Sequence, residues 1–104
     1  MSVIKVDREL FENDILKSEK TVLLDFYADW CGPCRMVSPI VDQIAEEHPE
    51  YLVGKINVDE QPELAAAFKV MSIPSLFVLK NGAVVENIVG AASKAKILSL
   101  LQKA

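Results

Sequence analysis

The hydrophobic residues of this chain come in short runs whose period changes from place to place, and the changes mark out its elements. Val3, Ile4 and Val6 predict a brief strand over 3–6. Asp7 then precedes RELFENDILK, in which Leu10, Phe11, Ile15 and Leu16 fall largely on one helical face, and the polar stretch SEKT at 18–21 ends that helix. TVLLDFYA, residues 21–28, is apolar at nearly every position, as expected of a strand covered on both faces in a parallel sheet. Met36, Val37, Ile40, Val41 and Ile44 recur at intervals of three and four. That spacing predicts a helix from near Cys34 to about His48, stopping before Pro49 and kinked at Pro39. YLVGKINVD, residues 51–59, predicts a strand, and QPELAAAF, with Pro62 in its first turn, a short helix.

Beyond these, SLFVL at 75–79 and AVVENIV at 83–89 flank Lys80, Asn81 and Gly82, and the Asn-Gly pair predicts an antiparallel hairpin. Ser93 is placed as the N-cap of a last amphipathic helix carrying Ile97, Leu98, Leu100 and Leu101. A βαβ half followed by a ββα half implies an α/β fold with a mixed sheet and helices on both faces. The 104 residues suit one domain, 1–104, with no linker or internal repeat. With 51% hydrophobic and 25% charged residues, the chain can bury a core without a disulfide to hold it.

Charge narrows the function. A net charge of −4 with no basic stripe excludes partners held by counterion release, so no nucleic acid and no anionic membrane surface is expected. The opening MSVIKVDRELFEND reaches Lys5 and Asp7 at once and has no apolar core, so no secretory signal is expected either. No apolar run approaches the length of a bilayer span. The expectation is a cytoplasmic protein, and in a reducing compartment a disulfide tends to be transient and functional.

Both cysteines lie in DWCGPCR, residues 29–35. A closed zinc site needs four ligands, whereas the chain offers Cys31, Cys34 and a single histidine, His48. His48, beside Pro49, reads better as a solvated residue interacting with the helix dipole, so no metal is assigned. Placed between a buried strand and a helix start, Cys31 would sit where backbone N–H groups and the helix dipole favour its thiolate. Cys34, one turn further in, is expected to be more buried and less acidic. The first sulfur then attacks and the second resolves. Pro33 has no N–H to offer a thiolate and restricts the loop, which favours a comparatively reducing dithiol.

The chain resembles the thioredoxin family over essentially its whole length. The resemblance rests on DFYADWCGPCR, supported in order by KINVD, SIPS, LKNG and VGA. It implies the thioredoxin fold, a central mixed sheet of about five strands flanked by four helices, and a protein-disulfide reductase cycling between dithiol and disulfide. It implies that Cys31 is the nucleophile and Cys34 the resolving cysteine, with Gly32 and Pro33 shaping the redox loop. Asp25 is the only charge in VLLDFYA, and burial in a doubly covered strand would raise its pKa and make it a proton acceptor near neutrality. The resemblance assigns it to proton transfer from Cys34 through water, with Lys55 as its cross-strand neighbour. An edge-strand charge facing solvent is the alternative for Asp25, and for Lys55 a stem lying on apolar surface with its head in water.

An X-Pro bond is trans by default, but the resemblance implies a cis Ile73–Pro74 bond against the CGPC loop, leaving the Ile73 backbone free to pair with an extended substrate. Trp30, Ile73, Pro74, Val89, Gly90 and Ala91 would then form the substrate surface, although Trp30 could be plain core. Tyr27, Ser72 and Ser75 depart from the commonest family pattern and leave open which partners this version prefers. Met71 is either a soft apolar contact or filler. The implied partners are a separate thioredoxin reductase, most often an NADPH-dependent flavoprotein, and targets such as ribonucleotide reductase, peroxiredoxins and methionine sulfoxide reductases. The chain itself has no nucleotide fingerprint, is expected to need no cofactor, and is expected to be a monomer. Two rivals are a thioredoxin-fold binding subunit that works without turnover and a dimeric metal or iron–sulfur carrier.

Overall fold

In the computed structural model, which describes residues 3–104, the strands are β1 (Val3–Lys5), β2 (Thr21–Tyr27), β3 (Tyr51–Asn57), β4 (Ser75–Lys80) and β5 (Ala83–Val89). The helices are α1 (Arg8–Leu10), α2 (Gly32–Glu47), α3 (Pro62–Ala67) and α4 (Lys94–Lys103). The N-terminal reading includes Met1 and Ser2, which lie outside the described residues. The sheet order is β1-β3-β2-β4-β5, with β1 and β2 parallel to β3, and β4 antiparallel to both β2 and β5. The apolar run of β2 is therefore the middle strand.

Alternation along β2 sends side chains into two cores. Leu23 joins Val37, Val41, Ile44, Val53, Ile97 and Leu101 beneath α2 and α4. Leu24 and Phe26 join Val6, Ile15, Ile56, Leu64 and Phe77 on the opposite face. There Phe11, Phe26, Phe68 and Phe77 meet at ring separations of 5.0–5.5 Å, in tilted and edge-to-face pairs. Burial on both sides explains why β2 shows no period of two in hydrophobicity.

The predicted elements differ from the structure at two places. The first helix is short and continues as a wider π-helical turn over Phe11–Ile15, so Ile15 is buried while Leu16 turns outward. Helix α2 begins at Gly32 rather than near Cys34, because Cys31 caps it and Pro33 is tolerated in a first turn that needs no N–H there. The helix runs through Pro39 to Glu47. The hairpin forms as expected, with Asn81 and Gly82 both at positive φ, 53° and 80°.

Gly54 of β3 is a packing constraint. A Cβ there would lie 2.6 Å from Val6 Cγ2 and 3.3 Å from Leu24 Cδ2. Gly54→Ala is expected to destabilise the fold by roughly 1–3 kcal/mol through overpacking. Urea unfolding that leaves the midpoint in place would show that this face has slack.

Candidate active site

The strand β2 leads through Ala28, Asp29 and Trp30 to Cys31, the N-cap of the 16-residue helix α2. Cys31 Sγ accepts the Cys34 N–H at 3.2 Å, one of the donors a helix start leaves free. The two cysteines form a disulfide, with Cα atoms 5.3 Å apart. Arg35 donates to the Asp29 carbonyl at 2.7 Å and ties the helix back to the loop before it. Gly32 and Pro33 are exposed at the tip. Cys34 is not the more buried cysteine by any useful margin: Cys31 is 4% exposed and Cys34 3%. Both pack with Ala28 against Tyr27, Val58 and Ile73, so the loop shields the pair as a unit.

The peptide Ile73–Pro74 is cis. Cys31 Sγ lies 3.8 Å from the Ile73 carbonyl oxygen. Among the described residues no backbone group bonds the Ile73 N–H or carbonyl, because β4 begins only at Ser75. Pro74 itself is buried and its carbonyl accepts the Gly90 N–H at 2.8 Å, which fixes the segment Val89–Gly90–Ala91 beside the loop. Val89 and Ala91 are exposed and Gly90 half-buried.

Trp30 is 69% exposed and so is not core; its Nε1 donates to Asp59 Oδ2 at 2.9 Å. Asp59 is held in turn by Asn57 Oδ1, which accepts the backbone N–H of Asp59 at 2.9 Å and of Glu60 at 3.2 Å. Trp30, Val58, Val70, Met71 and Ile73 line an apolar groove of about 430 Å³, with Met71 94% exposed on its rim.

Asp25 lies in the middle strand, not at an edge, and is 1% exposed. It shares the face of Leu23, beneath α2, and its register partners are Lys55 on β3 and Leu76 on β4. Neither carboxyl oxygen has a hydrogen-bond partner in the protein. Burial pushes its pKa up to about 6, against the pull of the Lys55 charge and with a smaller push from Asp42. The Lys55 ammonium turns to α2, donating to Ser38 Oγ and pairing with Asp42 Oδ1 at 2.8 Å.

The residues sequence reasoning missed are Ser38, Asp42, Asn57 and Asp59. Ser38 and Asp42 follow Cys34 at successive intervals of four, which puts all three on one face of α2, and that signal was available. Nothing local in the sequence pairs Trp30 with Asp59. His48 pairs with Glu50 at 2.9 Å across the end of α2, away from the cysteines. No group of three or more metal-ligating side chains assembles among the described residues.

Residues 2–103 match the Thioredoxin family model. A thioredoxin of Pyropia yezoensis is 45% identical over 104 residues, covering 99% of this chain and 97% of the relative. One of Streptomyces clavuligerus is 50% identical over 93 residues, covering 89% and 87%. Among solved structures, a mutant thioredoxin from Halobacterium salinarum NRC-1 superposes with a TM-score of 0.85 at 38% identity, over 97% of this chain and 87% of that one.

Proposed function

The chain belongs to the thioredoxin family, and from that premise we propose how its residues divide the work of disulfide exchange. It is a thiol-disulfide oxidoreductase with Cys31 and Cys34 as its redox pair. In the dithiol state the Cys31 thiolate attacks one sulfur of a target disulfide. A Cys31–target bond forms, the target S–S bond breaks, and the first target thiolate leaves. Cys34 then loses its proton and attacks Cys31 Sγ. The Cys31–Cys34 bond forms and the second target thiolate leaves, so two electrons have passed to the target.

One observation carries this order of events: Cys31 caps α2 beside the unpaired Ile73 backbone, while Cys34 lies on the helix face that carries Ser38 toward the sheet. Gly32 and Pro33 keep the attacking end of the loop at the surface. An extended target strand would pair with the Ile73 backbone, its flanks resting on Trp30, Val89, Gly90 and Ala91, while buried Pro74 shapes the ledge beneath. Asp25 takes the Cys34 proton, supported by its burial and raised pKa, and Lys55 moderates its charge.

As a family member the protein works between a reductase and disulfide-containing targets. We assign the donor to an NADPH-dependent flavoprotein reductase and the targets to ribonucleotide reductase, peroxiredoxins and methionine sulfoxide reductases, in the cytoplasm, where reducing conditions return the pair to its dithiol. The rival of a binding subunit without turnover gains nothing from relatives that match along the whole chain. The division of roles predicts that Cys34→Ser accumulates a covalent mixed disulfide with target proteins, released by dithiothreitol, and that Cys31→Ser accumulates none. Non-reducing electrophoresis after incubation with an oxidised target reads this directly. Equal trapping by the two variants would reverse or erase the assignment.

A further inference from the structure

Along one face of α2, Cys34, Ser38 and Asp42 succeed one another at one-turn intervals, running from buried to exposed. Ser38 is half-buried, lining with Cys34 and Tyr27 a small cavity of about 170 Å³, whereas the Asp42 side chain is 55% exposed. Lys55 reaches both oxygens from β3, with its own side chain 16% exposed. Its register partner is Asp25, whose carboxyl oxygens make no protein hydrogen bond. The half-buried cation therefore lies next to an unpartnered carboxyl and yet is held by two other groups.

We infer that Ser38 and Asp42 are positioning residues that act through Lys55: by fixing and partly neutralising its ammonium they set the ionisation of Asp25. Ser38 holds the cation inward, near Asp25, and Asp42 draws its charge outward toward solvent. The charged groups that bear on Asp25 are Lys55 from β3 and Asp42 from α2, and its register partner on β4 is the apolar Leu76. The only cation among them is the one these two residues hold. Neither residue is asked to touch the substrate.

The two substitutions pull in opposite directions. In Asp42→Asn the Lys55 charge is no longer neutralised and one negative neighbour is gone, so Asp25 ionises at lower pH. In Ser38→Ala the inner anchor is lost and Lys55 moves toward Asp42, so Asp25 ionises at higher pH, although no charge has been removed. Each displacement is expected to be roughly half a pH unit or more, as suits charges rearranged close to a buried carboxyl. The inference rests on the reading of Asp25 as the base for Cys34, so its test follows the carboxyl itself.

Carboxyl carbon NMR of Asp25 across a pH titration, on the folded chain carrying Asp42→Asn, Asp42→Glu or Ser38→Ala, measures the midpoint directly. A lowered midpoint in Asp42→Asn, restoration in Asp42→Glu and a raised midpoint in Ser38→Ala support the inference. In a Lys55→Met background Ser38→Ala is expected to have no further effect. An unmoved midpoint in Asp42→Asn or in Ser38→Ala, or displacement of the two in the same direction, overturns it. Stopped-flow measurement of the Cys34 step over the same pH range separates the two ideas. Midpoints that move as expected without any change in that rate profile support the positioning role and remove Asp25 as the base.

Discussion

Reduction of insulin disulfides driven by dithiothreitol and followed by turbidity is expected to be fast with the native chain and to fall roughly a thousandfold or more in Cys31→Ser. The reason is chemical before it is structural. A serine hydroxyl is not ionised at neutral pH and cannot form the covalent bond to the target sulfur on which both steps depend. Cys34 is not placed to take over, because it lies inside the first turn of α2, whereas Cys31, at the N-cap, is the sulfur set 3.8 Å from the Ile73 carbonyl where a target strand can lie. The loop itself should survive the change, since a serine at an N-cap still accepts the Cys34 N–H. Circular dichroism of the variant, matched to the native spectrum, makes lost turnover a statement about the nucleophile. Retention of more than a small fraction of turnover would mean that Cys34 can attack. A folded native chain without turnover would return the binding-subunit reading.

Much of this arrangement was legible in the residues, and what was not has a common cause. The near-continuous apolar run of β2 announced a doubly covered strand, and Asn81-Gly82 announced a hairpin, because both signals are local. The cysteine spacing pointed to redox chemistry for the same reason. Burial of Asp25 was left undecided by its sequence neighbours, since whether a strand is central or an edge depends on β3 and β4, which are remote in the chain. The partner of Lys55 was hidden likewise: register places Asp25 beside it, yet the ammonium swings to Ser38 and Asp42 on a helix layered above the sheet. Trp30 and Asp59 are 29 residues apart and meet only because β3 ends beside the motif loop. Equal shielding of the two cysteines depends on Tyr27, Val58 and Ile73 closing over the pair, which no spacing within CGPC encodes.

Asp25→Asn is expected to stabilise the fold at neutral pH and to slow the reaction at one step. The carboxyl ionises near 3.8 in the unfolded chain and at about 6 when folded. Between those values the folded state holds the proton more tightly, so stability falls as pH rises through the window. The cost is absent below the unfolded value and complete above the folded one. A displacement of that size corresponds to about 3 kcal/mol for a buried group. Asparagine carries no charge and escapes this cost, although its amide, set where the carboxyl oxygens find no protein partner, gives back part of the gain at every pH. The decisive quantity is therefore the pH dependence of the difference between the two proteins. Urea unfolding from about pH 4 to about pH 8 should show the advantage of the variant growing toward neutrality and levelling off above the folded value. A difference that does not change with pH would mean that Asp25 is not the strained ionisation. The same variant lacks the acceptor for the Cys34 proton, so release of a mixed disulfide near neutral pH is expected to slow at least roughly tenfold while the attack by Cys31 is spared. If both steps slow equally, the buried charge is a cost of the fold without the catalytic return, and the proton from Cys34 leaves by another route.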